Sequence, residues 1–138
     1  MPTLKARIGG VWVALASSSS LPGAWTNVTF QNGWSNLGGF AGAAYRLVGD
    51  KVELRGLVTR STAVPVASSS IIFTLPAGFR PPGALLMTGV AAGPTSYGEM
   101  QARIDANVNG DVTVLSGSAS QNVHVYLSLS NISFSVTP

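Results

Sequence analysis

"NGWSNLGGFAGAAYRLVGDKVELRGLV" runs from Asn32 to Val58. Its second half decides the fold. Lys51, Glu53 and Arg55 alternate with Val52, Leu54 and Gly56, the period of two expected of a half-buried strand. Gly49-Asp50 separates this run from Ala43 to Val48, and such a pair suits the tight turn of a β-hairpin. The first half, Asn32 to Gly42, is a loop rich in glycine and aromatics. It reads either as the rim of a binding site or as a connection in a β-rich shell.

The same grammar extends in both directions. Trp25 to Phe30, Lys51 to Arg60, Ser70 to Leu75 and Ala84 to Ala91 read as strands. The prolines of "LPAGFRPPG" break the chain between the last two, because proline cannot serve a central ladder. From Met100 to Val108, Ala102, Ile104, Ala106 and Val108 take one face. Asn109-Gly110 then signals a hairpin into Asp111 to Leu115. Val123, Val125, Leu127 and Leu129 alternate with His124, Tyr126 and Ser128, and Ile132, Phe134 and Val136 close the chain on one face. No window sustains a helical period, and there is no internal repeat. Roughly nine or ten short strands predict an all-β antiparallel sandwich or jelly roll.

The N-terminus reads as a separate small unit. Leu4, Ala6 and Ile8 alternate before Gly9-Gly10, and Val11, Val13 and Leu15 alternate after it. A lone hairpin is marginal in water, so it is expected to dock on something. Ser17 to Ser20 and Pro22-Gly23 make a flexible connector. The expected division is therefore an arm and linker over 1–24 and a sandwich over 25–138.

Composition limits the function. Of 138 residues only 9% are charged, while 46% are hydrophobic. About a quarter charged is usual. A surface so poor in charge points to faces hidden against partners, and oligomerisation is the simpler reading. The net charge of +3 comes from cations scattered between Lys5 and Arg103, with no patch for nucleic acid. Without cysteine there is no disulfide, thiol nucleophile or zinc-thiolate site. No signal peptide is read at the N-terminus. No apolar stretch reaches membrane-spanning length, so no membrane insertion is expected.

Catalysis finds little support. The single His124 has no evident nucleophile or orienting acid, and it reads as a surface or interface residue. Glu99, Asp105 and Asp111 do not fall at a metal-ligand spacing. Paired carboxylates for glycoside hydrolysis are not apparent either, since Asp50, Glu53, Asp105 and Asp111 flank turns or lie on strand faces. "GGFAGA" at 38–43 lacks the helix and Lys-Ser or Lys-Thr pair of a phosphate loop. The expectation is a non-enzyme with no catalytic residues, metal or cofactor.

The aromatics carry more. Trp25, Trp34, Phe40 and Tyr45 crowd one stretch. Trp25 and Tyr45 read best as core or interface. Trp34, with Asn36 and Phe40, is the candidate glycan-binding set, because aromatic faces stack on sugar rings while amides meet their hydroxyls. A plug in the core is the rival role for Trp34.

The ordered pieces "FQNGWSN", "AAYRLVGDKVELRGLV", "IIFTLPAGFRPP", "ARIDANVNGDVTV" and "VYLSLSNISFSV" resemble the knob domain of tail-fibre and minor tail proteins of bacteriophages, especially those of actinobacterial hosts. The resemblance covers about residues 25 to 138. Asn131 stands in "SLSNISF" where the family usually has Gly. "KARIGGVWVAL" also looks like the short hairpin with which such proteins begin. The resemblance implies a homotrimeric β-sandwich or jelly roll displayed on the virion, in a structural or host-recognition role, and it fixes no binding residues because the family's ligands vary. The expected reading is a knob that binds host cell-surface glycan or supports the attachment apparatus. The Gly9-Gly10 hairpin, too small to be stable alone and set apart by the Ser-rich connector, is expected to anchor the protein to other virion proteins through Ile8, Val11, Trp12 and Val13. A capsid or tail decoration, of head-fibre type and without a host ligand, is the alternative.

Overall fold

The computed structural model describes residues 4–16, 21–65, 68–92, 100–115 and 126–138. These form strands β1 (Leu4–Ile8), β2 (Val11–Ala16), β3 (Thr26–Asn27), β4 (Trp34–Asn36), β5 (Ala44–Val48), β6 (Lys51–Arg55), β7 (Leu57–Arg60), β8 (Ser69–Thr74), β9 (Leu85–Ala92), β10 (Met100–Ala106), β11 (Asp111–Leu115), β12 (Tyr126–Ser128) and β13 (Ser133–Ser135). There is no helix among the described residues. The strands pair antiparallel. A seven-stranded sheet runs β4-β7-β12-β9-β10-β11-β8, and a four-stranded sheet runs β13-β6-β5-β3. The protein is an all-β antiparallel sandwich, with the larger sheet curled almost into a barrel.

The β5–β6 hairpin forms where the alternation places it. Val48 pairs with Lys51, and Gly49 takes φ 63, the positive value that a primed two-residue turn needs at its first position. Val52 and Leu54 point into the core, while Lys51, Glu53 and Arg55 face outward. Beyond Arg55 the structure departs from a single strand to Arg60. Gly56 has φ 115, and a Cβ there would lie 2.5 Å from the Ala43 Cα. The chain turns against its neighbour's backbone and passes from the small sheet to the large one as β7. The stretch from Trp25 to Phe30 does the same. Only Thr26 and Asn27 pair with β5, and Phe30 bridges to Phe73 in the large sheet. The chain crosses back through a turn between β12 and β13, where Asn131 holds φ 66. The Leu129 amide donates to the Gly56 carbonyl at 2.9 Å, tying two of these crossings together.

"NGW" closes the large sheet. The Gln31 amide donates to Ile72 of β8 at 2.9 Å. Asn32 and Gly33 then turn with φ 53 and 79, and the Trp34 amide donates back to Gln31 at 3.1 Å. Positive φ at both central residues defines a type I′ turn, which Asn-Gly favours. Trp34 then begins β4, paired with β7. Within a few residues the chain spans the gap between the two edge strands, covering edges that would otherwise be open to further pairing.

The interior is apolar: Ile72, Phe73, Leu75, Ile104, Val112, Val114, Leu127 and Leu129 are nearly or fully inaccessible. Ile72 and Phe73 both point inward because β8 slips register against β11 between Val112 and Thr113, a bulge that local alternation does not reveal. The Asn109-Gly110 hairpin stands where expected, with a longer turn. Gly110 donates to Asn107 at 2.8 Å and takes φ 96, so Val108 and Asn109 form the turn and Gly110 the bulge position. Val108 is therefore 56% exposed rather than on the core face. Tyr45 reaches Phe79 of the proline-rich loop edge-on, with ring centres 4.8 Å apart.

At the N-terminus, β1 and β2 pair through Gly9-Gly10, with Ile8 opposite Val11. Body pairing begins inside the segment read as linker: Pro22 bridges to Val48, and the Gly23 amide donates to Leu47 at 2.7 Å. Ser17 to Ser20, Glu99 and His124 lie outside the described residues.

Candidate functional site: the face around Trp25

The three residues expected to meet a glycan separate. Trp34 is 3% exposed, and its indole N–H donates to Ser70 Oγ at 2.9 Å across the closing seam. Both its face and its polar edge are used inside the protein, so it offers no stacking surface. Trp34 takes the rival place the sequence offered it, in the core. Asn36 accepts the Ala43 amide at 2.7 Å through Oδ1, which clamps the loop between them. Phe40, on that loop, is 64% exposed and presents its ring to solvent. Of the arm residues Ile8, Val11, Trp12 and Val13, Val11 is 63% exposed at the start of β2.

The four-stranded sheet gathers a different set on its outer face. Arg46 of β5 lies opposite Glu53 of β6 in register, and Arg55 lies opposite Ala44. Cross-strand neighbours on one face sit within side-chain reach. Arg46 meets Glu53 Oε2 through Nε and Nη2, both at 2.8 Å. Trp25, just before β3, lies beside them. The Arg46 and Arg55 guanidinium carbons stand 4.3 and 4.4 Å from the centre of its ring. This is cation–π range, and the indole serves as a platform that fixes two cations.

Next to this platform the β12–β13 turn leaves an open depression of about 420 Å³. Trp25, Glu53 and Arg55 line it together with Ser130, Asn131 and Ser133. The two arginines differ. Arg46 is neutralised by Glu53. Arg55 Nε is buried without a hydrogen-bond partner, and no ion pair involves Arg55 among the described residues. Arg60 shows the contrast: its guanidinium donates to the carbonyls of Asn32, Thr62 and Ala63 at 2.7, 3.1 and 3.3 Å and serves the seam. Arg55 was visible in the sequence as an alternating outward residue. Its meeting with Arg46 on Trp25 was not, since it depends on β3 pairing with β5.

The described acids are committed to structural partners. Thr137 donates to Asp50 at 3.2 Å, Thr74 and Asn109 donate to Asp111 at 2.6 and 2.8 Å, and Arg103 donates to Asp105 at 2.7 and 2.8 Å. The hydrogen bond to Asp105 holds the Arg103 pKa above its ordinary value. No group of three or more potential metal ligands forms among the described residues.

The sequence matches no family model and no curated protein. Two solved structures match the fold. One is the receptor binding protein of Listeria phage PSA, at TM-score 0.60 and 21% identity, over 84% of this chain and 66% of that one. The other is the head domain of phage bIL170, from work on receptor-binding domains of lactococcal phages. Its TM-score is 0.55 at 18% identity, over 83% of this chain and 98% of that one. This chain shares their fold. It spans nearly the whole lactococcal phage head domain and slightly under two thirds of the Listeria phage protein.

Proposed function

We propose that the protein is a bacteriophage virion component, a homotrimeric β-sandwich knob of tail-fibre or minor tail type, displayed on the particle and serving attachment to the host surface. The observation that carries this reading is the shared fold with two phage receptor-binding structures. The order of motifs from "NGW" to "SLSNISF" supports it and favours an actinobacterial host.

Trimerisation is supported by the surface. With 9% charged residues, the outer face of the large sheet carries Leu86 and Val90 at 64% and 46% exposure. Threefold closure would remove such neutral area from water, as oligomer interfaces do. The β1–β2 hairpin, with Val11 exposed, is the segment proposed to anchor the knob to other virion proteins. The role is structural and recognitive, not enzymatic.

The decisive experiment is binding of the purified, fluorescently labelled protein to whole host cells, with light scattering on the same sample. The reading expects saturable binding to actinobacterial cells by a species of three chains' mass. A protein that binds no cells while still incorporating into virions would establish the decoration role instead. A monomer at micromolar concentration would overturn the trimer.

A further inference from the structure

The depression beside Trp25 contains a positive charge without a counter-charge. Burying a guanidinium costs free energy unless an anion or acceptors compensate it. Arg46 has Glu53 and Arg60 has three carbonyls, but Arg55 Nε is shielded and unpartnered. What holds Arg55 in place is the Trp25 ring, 4.4 Å from its guanidinium carbon. Glu53 also borders the depression, but Arg46 already compensates its carboxylate at 2.8 Å. The residual charge of the site is that of Arg55.

The rest of the lining carries hydrogen-bonding groups. Ser130 and Asn131 border the depression on the turn between β12 and β13, and Ser133 borders it at the start of β13, opposite Glu53 in register. Asn131 holds φ 66 there, a conformation glycine adopts at less cost. An asparagine at such a position adds an amide to the rim, where glycine would add nothing.

We propose that this depression binds a saccharide carrying an oxyanion, a phosphate or a carboxylate, with Arg55 taking the anion and Ser130, Asn131 and Ser133 the hydroxyls around it. Trp25 and Arg46 are positioning residues: the indole orients Arg55, and Arg46 keeps Glu53 from repelling the ligand. Arginine suits the task because its fork of N–H groups matches both oxyanions. That the anion is carried on a sugar rests on the attachment reading, whereas the preference for an anion rests on Arg55 itself.

The test uses the full chain, nitrogen-labelled, and follows its arginine and tryptophan side-chain N–H resonances by NMR. The titrants are glucose 1-phosphate, glucuronic acid and glucose. The expected result is a shift of the Arg55 and Trp25 signals, with at least one charged sugar binding about tenfold tighter than glucose, the scale of a charge-assisted hydrogen bond. Whether glucose 1-phosphate or glucuronic acid binds tighter assigns phosphate or carboxylate. Arg55→Met should abolish the preference. Should Arg55→Met fail to fold, Ser133→Ala with Asn131→Gly should weaken the charged sugar several-fold while leaving the Arg55 signal in place. Equal binding of all three sugars, no binding at millimolar concentration, a preference that survives Arg55→Met, or charged-sugar binding left unchanged by the Ser133→Ala with Asn131→Gly variant overturns the proposal. Cell binding that persists in Arg55→Met would remove the site and leave attachment standing. Sugar binding without cell binding would do the reverse.

Discussion

Trp34 and Trp25 lie nine positions apart and live in opposite environments. Trp34 sits at the seam where the large sheet closes, 3% exposed, with its one polar atom bonded to Ser70. Trp25 lies half-buried on the outside of the small sheet, held between arginines rather than core side chains. Local sequence points the other way. Trp34 has polar and glycine neighbours, as a loop would, and Trp25 begins an alternating run, as a core strand would. The difference teaches that an Asn-Gly turn delivers its next residue wherever the chain must go. Here it goes across a barrel seam, where a large flat side chain fills the closing gap.

The strongest way to break this contrast is Trp34→Ala. Removing a fully buried indole costs about 3–5 kcal/mol, and Ser70 would lose its partner. Denaturant unfolding should show a loss of that size, whereas Trp25→Ala should cost about 1 kcal/mol or less, the scale of partly exposed cation–π contacts. A Trp34→Ala protein of near-native stability would remove the seam plug from the fold.

Gly56→Ala addresses the corner on which both regions depend. The added Cβ would meet Ala43 Cα at 2.5 Å and Ala43 N at 2.6 Å, and backbone atoms cannot rotate away. With φ 115 also disfavoured for alanine, a destabilisation of about 3 kcal/mol is expected. Thermal unfolding of the purified variant measures it. A change within experimental error would mean that the chain can cross between sheets without glycine.

These two positions mark how far the sequence could be read. Period-two alternation placed β5, β10 and β11 within a residue or two, and the start of β6, because half-buried strands write their pattern locally. It could not reveal that one run from Lys51 to Arg60 serves two sheets, since outward and inward faces keep alternating through Gly56. Nor could it show the β8 bulge, the closing of the barrel or the meeting of Arg46 and Arg55 on Trp25. Each of these depends on pairings between residues distant in sequence. For the site, the charges and the aromatics were legible one by one. Their assembly was not, and Phe40 alone of the expected glycan set presents an open aromatic face.

A smaller effect sharpens the Trp25 side. Glu53→Gln removes the charge that neutralises Arg46, whose side chain and that of Glu53 are 25% and 37% exposed. Exposed ion pairs contribute roughly 0–1 kcal/mol, so stability should fall by no more than that. The depression becomes more positive, and a charged sugar should bind more tightly at low salt, with the gain fading as ionic strength rises. A loss of several kcal/mol would instead make the pair a fold determinant, and the Trp25 face would then resemble the seam.

Asn131→Gly is expected to do least to the fold and is the most discriminating for that reason. Asn131 turns the chain from β12 to β13 at φ 66, and glycine meets that requirement without a side chain. The relief of left-handed strain and the greater entropy of the unfolded glycine chain act in opposite directions, so stability should change by only a few tenths of a kcal/mol. Whatever Asn131 contributes beyond the turn must then come from its amide, which borders the depression with Ser130 and Ser133. Unfolding curves that superimpose, together with weaker binding of a charged sugar, would assign Asn131 to recognition. Superimposed curves with unchanged binding would leave it a turn residue. A marked drop in stability would show that its side chain holds the corner and would move this residue to the Trp34 side of the comparison.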